Sequence, residues 1–336
     1  MEWDGMSKWW KIAAVVLVVF IVLIGFTLAF GEKPKRVIGQ QDRLDAIPAS
    51  AVKRTPSTDF HKPVVHSSLW SQPVPMPGLV NTAGGEDSPF FTMNGSWFFF
   101  FFTPDVLVPP EKQLIDGVTG LWWTRLVEGN WTSPEKIVLN NDVSLEGAEF
   151  VLGNTMWFAS VRTGNYGEID VYTAQYVDGE WKDVENAGAQ LNQQYDIGEF
   201  HITSDGSRMY YHKGNWSGGS DMDIWYSDRT SSGWSTPVLA PGVNTGANEG
   251  YPYLSPAGDE LWYTGTSKLG LGYLGPAIFR CIMQPNGTWG PAEEIISNYA
   301  GECTIYADGN IYFVHHYYSA DNRIMIEADI YVAYRL

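Results

Sequence analysis

Phe200-His-Ile-Thr-Ser-Asp-Gly206-Ser-Arg-Met-Tyr-Tyr211, followed by Asp223-Ile-Trp225 and Trp234-Ser-Thr-Pro237, is one copy of a unit that the chain repeats. A short apolar segment runs into an Asp-Gly pair, whose residues tolerate the positive φ of a two-residue hairpin, and an aromatic segment runs out of it. Such β-branched and aromatic runs bounded by turn residues are strands rather than helices. Turns at Asn94-Gly95, Gly153-Asn154, Gly258-Asp259 and Asp308-Gly309 lead in the same way into Trp97-Phe-Phe-Phe100, Met156-Trp-Phe158, Leu261-Trp-Tyr263 and Ile311-Tyr-Phe313. Third segments follow at Leu121-Trp-Trp123, Asp170-Val-Tyr172, Ala277-Ile-Phe279 and Asp329-Ile-Tyr331. The outer segment opens on tryptophan, at Trp70, Trp131, Trp181, Trp234 and Trp289, with separations of 61, 50, 53 and 55 residues. Most units then close on an apolar residue and asparagine: Val80-Asn81, Leu139-Asn140, Leu191-Asn192 and Val243-Asn244.

Four strands in about 50 residues is the size of a propeller blade and too long for a helical solenoid repeat. The reading is therefore all-β, a five-bladed β-propeller over residues 67–336. Its phase predicts the closure: the first element is a fourth strand at Trp70, while the last, Asp329-Ile-Tyr-Val-Ala333, is a third strand with nothing after it. The segment from Leu69 to Met76 would supply the outer strand of the last blade and leave no unpaired seam. With its Asp-Gly turns, Asp-Ile-Tyr strands and Trp-x-x-Pro strands, the chain from residue 69 onward resembles the TolB-type β-propeller repeats. The resemblance is weaker in the first and fourth units, where Gly120 and Ala277 replace the strand-leading aspartate. It implies a fold more than an activity, since propellers serve as binding modules and as enzyme scaffolds.

Ahead of the ring, residues 12–30 are 19 uncharged, mostly apolar positions, long enough to cross a bilayer as one helix. Thr27-Leu-Ala-Phe-Gly31 is a poor cleavage site, so the segment reads as an uncleaved signal-anchor after a short N-terminal segment, residues 1–11. Residues 31–66, with Pro34, Pro48, Pro56 and Pro63, read as a flexible tether. Sequons at Asn94, Asn130, Asn215 and Asn286 favour an extracytoplasmic ring on a single-pass membrane protein, whereas Lys33, Lys35 and Arg36 after the span weigh against it.

The net charge is −17; residues 1–62 carry +3, which leaves −20 on residues 63–336. A ring so acidic repels phosphate backbones and anionic lipid, so neither nucleic acid nor membrane contact beyond residues 12–30 is expected. Cys281 and Cys303 offer no disulfide framework and no zinc pattern, and read as buried thiols.

Candidate site residues lie where inner strands begin and second strands end, which share one rim. Glu86, Glu146, Glu199, Glu249 and Glu302 provide one carboxylate per unit, the third and fifth set two positions later. Since a spacing of two keeps one side of a strand, all five are expected at one mouth. There they would bind a basic ligand or a divalent cation, although no cofactor is required, or simply hydrogen-bond a neighbouring blade. Arg162, Lys213, Trp216, Tyr273, His316 and Tyr317 lie on loops of the same rim, where aromatic faces and polar groups suit a glycan or peptide. Thr103 to Thr119 is the longest insertion and reads as a wall or lid.

These residues point to a binding module for a glycan, a peptide or another envelope protein. The alternative is a glycoside hydrolase of the five-bladed furanosidase kind, whose pattern would give acid and base roles to Glu86 or Asp87, Glu146 and Glu199. Those enzymes carry aspartates in the first two places and lack the tryptophan repeat.

Overall fold

The computed structural model describes residues 37–139, 144–192, 197–213, 222–269, 275–321 and 323–336. The expected membrane span, together with Asn140, Asn215, Trp216 and Tyr273, lies outside them. Among the described residues no helix is long and apolar enough to cross a membrane.

The chain from Ile38 to Leu336 forms one compact unit built almost entirely of strands. Antiparallel groups follow one another in sequence order, consistent with a β-propeller. Gly85–Phe91, Trp97–Thr103 and Gly120–Val127 begin the first, and Leu145–Leu152 through Glu180–Asn186 make the second. Phe200–Ile202, Arg208–Lys213 and Asp223–Thr230 lead the third, and Glu249–Leu254 through Glu293–Ser297 form the fourth. Ala300–Ile305, Ile311–Tyr318 and Met325–Ala333 are the fifth, and one parallel pair, Ala328 with Gly85, joins it to the first. The five leading strands touch in a cycle, each packing on the next and Ala300–Ile305 packing on Gly85–Phe91.

The repeated asparagine has a mechanical role. Asn192 accepts from Val171 N–H (2.8 Å) and donates to Val171 C=O (2.9 Å), so one side chain clasps both polar groups of a third-strand residue. Asn244 does the same to Ile224. Asn81 does it to Ile330 (2.9 and 2.8 Å), reaching from the start of the ring to its last strand. Val74 and Pro75 pair with Val332 and Tyr331, and Trp70 bridges to Arg335, as the phase of the repeat requires. Trp70 is buried, edge-on to Trp262, with its ring N–H donating to Gly309 C=O at 2.8 Å. Trp181, Trp234 and Trp289 are buried likewise, whereas Trp131 stays 40% exposed. Cys281 and Cys303 are free and buried.

The tether expectation is corrected for residues 37–66, which are a strap packed on the ring. Gln40–Ala46 is helical and drives Arg43 into the core, over the rings of Phe100, Phe102 and Trp122 (5.1, 5.1 and 5.5 Å). Its guanidinium donates to Leu79 C=O (2.6 Å) and Val80 C=O (2.8 Å). Lys53 pairs with Glu327 (2.7 Å) and with Asp329, and Asp59 meets His315 at 3.0 Å with both side chains buried. Val64–Val65 adds an edge strand to Glu293–Ser297. Composition misled here because the anchors are single long side chains spaced along a polar segment, which leave no periodic pattern.

Arg43→Ala should lower the free energy of unfolding by about 2–4 kcal/mol, through lost ring contacts and two orphaned carbonyls. Urea denaturation of the variant reads this directly; a loss under about 0.5 kcal/mol would mean that the strap is no part of the fold.

Candidate functional site

The inner strands share a local irregularity. Pairing registers shift between Asp87 and Phe90, Gly147 and Phe150, Gly250 and Tyr253, and Gly301 and Thr304. At each shift a non-glycine residue takes positive φ: Ser88 (47°), Ala148 (53°), Tyr251 (53°) and Glu302 (50°). These are β-bulges, which break the two-residue alternation and re-aim the side chains around them. Non-glycine residues at such φ cost of order 1–3 kcal/mol each and persist where surrounding structure holds them, so four at equivalent positions mark where a site is to be sought.

The bulges divide the five glutamates, so the single mouth of five carboxylates is corrected. Glu86, Glu146 and Glu249 precede the shifts, in regular pairing with Phe102, Ser160 and Gly265. They brace loops. Thr82 donates its N–H (2.9 Å) and hydroxyl (2.5 Å) to Glu86, and Thr245 does the same to Glu249 (3.0 and 2.5 Å). Glu146 accepts from Ser144 (2.5 Å) and from Arg162 (2.8 Å), whose guanidinium lies over Tyr172 at 4.4 Å. Arg162 is thereby spent in a buried ion pair rather than offered to a ligand. Tyr317 is also structural: it is buried and hydrogen-bonds Asp329 (3.2 Å) and Tyr331 (2.7 Å). Lys213 lies 5.6 Å over the Trp225 ring.

Glu199 and Glu302, two positions later, turn to the centre. They line a cavity of about 50 Å³ whose wall takes Ser88, Ala148, Glu199, Tyr251 and Glu302, one residue from each inner strand. Ser88 bridges the two acids, its hydroxyl 3.2 Å from Glu199 Oε1 and 2.7 Å from Glu302 Oε2. Beside it opens a cavity of about 420 Å³, with Asp87, Tyr251, Glu302, His316 and Tyr318 in its wall. His316 Nε2 lies 3.7 Å from Asp87 Oδ2, their side chains 16% and 31% exposed. One ligand atom from each of Asp87, Glu302 and His316 falls within 4.8 Å of the others, so these three could hold a cation.

Charge crowding sets the protonation of this mouth. Burial and the Asp87 charge push Glu199 up to about 8. Burial, then Asp87 and Glu199, hold Glu302 well above the usual carboxylate range. Burial also raises Asp87, but the neighbouring His316 ring and the Ser88 N–H outweigh it and leave that group below its ordinary value. Deeper in, Glu149 is 6% exposed, both its oxygens lack a hydrogen-bond partner, and burial lifts its carboxyl strongly. His201 packs between Phe150 and Tyr253 at 4.5 and 4.7 Å, and burial lowers it to about 3. A Cβ on Gly198 would sit 1.8 Å from His212 Nε2, so only glycine fits there. His212 in turn accepts Tyr251 N–H at 3.2 Å and helps fix the bulge.

The sequence reading missed Ser88, Glu149 and Tyr251. A signal was present: Asn81-Thr82-x-x-x-Glu86 and Asn244-Thr245-x-x-x-Glu249 are one loop motif, which marks those two glutamates as braces.

No family model and no curated protein matches the chain. Among solved structures it is similar to a TolB-type protein of Agrobacterium tumefaciens (16% identity, 72% of this chain and 73% of that one, TM-score 0.44). It is similar also to an endo-arabinase of Bacteroides thetaiotaomicron (12%, 73% and 92%, 0.44) and to an α-L-arabinofuranosidase of Lactobacillus brevis (11%, 74% and 90%, 0.41). Likeness at this level transfers no residue roles, and the site stands on its own geometry.

Between pH 4.5 and about 8 the folded state keeps a proton on Glu199 that the unfolded chain has released. Stability is therefore highest below that window and falls as pH rises through it, with Glu302 acting in the same direction. Thermal melts at either end should show this fall, and Glu199→Gln should reduce it; an unchanged slope in the variant would contradict the assignment.

Proposed function

We propose that this chain is a five-bladed β-propeller, anchored by residues 12–30 with its ring outside the cytoplasm, that binds a glycan or peptide at its central mouth. The blade count is supported by the cycle of five leading strands and by the parallel pair at which the nine-stranded sheet divides into two antiparallel groups. Export is supported by exposed sequons, at Asn94 and Asn286 on turns and at Asn130 in a short strand.

The observation that carries the binding reading is convergence. Every inner strand delivers a side chain to the axis, next to an open cavity with carboxylate, imidazole and tyrosine groups in one wall. Concave sites with a few converging polar groups among apolar walls are where small ligands are held. A binding site needs no unique nucleophile, and Glu86 and Glu146, two of the acids assigned to hydrolysis, are committed to their own loops.

A second reading keeps one specific observation. Glu199 raised to about 8 near an Asp87 held low is the split expected of an acid and base pair. It would make the mouth a glycoside hydrolase with Asp87, not Glu86, in the first role.

Both readings meet one experiment. The full chain is screened on glycan and peptide arrays, and any glycan that binds is assayed for sugar release. The binding reading expects retention that Tyr251→Ala abolishes, with no turnover. Release of reducing sugar that Glu199→Gln eliminates would replace it with the hydrolase, and retention insensitive to Tyr251 would move the site away from the mouth.

A further inference from the structure

The mouth is chemically one-sided. Among the described residues lining the larger cavity none is lysine or arginine, while Asp87 and Glu302 present carboxyl groups and Asn248, Thr264 and Thr266 present neutral polar ones. Around them stand two aromatic rings, Tyr251 and Tyr318, and two thioethers, Met222 and Met325. Carboxylates next to aromatic faces are the usual receptor for an ammonium group, and flexible methionines suit an alkyl stem. The charge of −20 over residues 63–336 concentrates cations at such a concavity.

A second observation points the same way from below. Tyr251 and Glu302 are shared by both cavities, and on the far side of that shared wall lies Glu149, 94% buried, with neither oxygen bonded to another residue. A buried acceptor without a donor is costly, and here it adds to a column of acids, Asp87, Glu302, Glu199 and Glu149, with no lysine or arginine among the described residues lining either cavity. What the column lacks is a donor bearing positive charge.

We propose that the mouth takes its ligand by a lysine side chain of a peptide or protein partner, the ammonium lodged at Asp87 and Glu302 and the alkyl stem lying against Met222 and Met325. This rests on the binding reading above and narrows it. A bare metal ion would use Asp87, Glu302 and His316 but would leave the thioethers and rings without a role. An anionic or neutral sugar would leave the acids unpaired.

The probe is acetyl-Ala-Ala-Lys-Ala-Ala-amide, titrated into the full chain by calorimetry. Controls are the same peptide acetylated on the lysine nitrogen, a glucosamine oligomer and calcium chloride. The proposal expects binding, at least about tenfold weakening on acetylation, and a similar loss in Asp87→Asn and Glu302→Gln. Glu302→Gln should melt at or above the parent temperature, because it removes a crowded acid. Equal affinity for the acetylated peptide, binding of the glucosamine oligomer with the peptide silent, calcium binding with the peptide silent, or no binding of any probe would each overturn it. A neutral array ligand held at the mouth through Tyr251 would sink the lysine proposal and leave the binding reading standing.

Discussion

Asn81 holds the two ends of the ring together. Its amide satisfies both the N–H and the C=O of Ile330, a residue 249 positions away, and so does for the seam what Asn192 and Asn244 do within single units. Met76 N–H also donates to that carbonyl at 2.8 Å, so the outer strand and the clasp close on the same peptide. Once the clasp is in place, Thr82 follows directly and bonds Glu86, which starts the first inner strand. One short loop thus ends the last unit and begins the first. The position of the mouth depends on it, since Asp87 and Ser88 reach the centre from that strand, next to Glu302 of the last unit.

The strap reinforces the same seam from outside. Lys53 neutralises Glu327 and Asp329 on the closing strand, and Asp59 pairs with His315 on the strand beside it. Arg43 fills the space under Leu79 and Val80, immediately before Asn81. A planar guanidinium suits this place because Nη2 meets two carbonyls while three aromatic rings lie around it. The segment that leads towards the expected membrane span is therefore fixed to the ring from residue 38, and the slack available to a tether is shorter than composition suggests.

The strands and the closure were legible from the sequence because each rests on a local rule. Turn glycines fix hairpins, aromatic runs fix strands, and the unmatched fourth strand at Trp70 requires an unmatched third strand at Ile330. The site was half legible. Glu199 and Glu302 could be placed near the centre from their position before the turn, and His316 from its place at the end of a second strand. Their separation from Glu86, Glu146 and Glu249 could not, because it comes from bulges whose positive φ falls on Ser88, Ala148, Tyr251 and Glu302, none of them a glycine. Tyr317 failed for a related reason: beside His316 it looks like a rim residue, but strand alternation turns it inward to Asp329. The strap was illegible because its anchors are isolated side chains, with partners 36 and 37 residues away for Arg43 and more than 200 away for Lys53 and Asp59.

Closure of the ring can be measured without a ligand. Leu69 and Leu336 are exposed, and Leu336 N–H donates to Leu69 C=O at 3.0 Å, so spin labels at these two positions report on the seam alone. Pulsed dipolar spectroscopy on the doubly labelled chain should give one narrow distance near the short limit of the method, which Asn81→Ala broadens. A broad, long distribution in the unsubstituted background would show that the ends do not meet, and the central mouth would go with them.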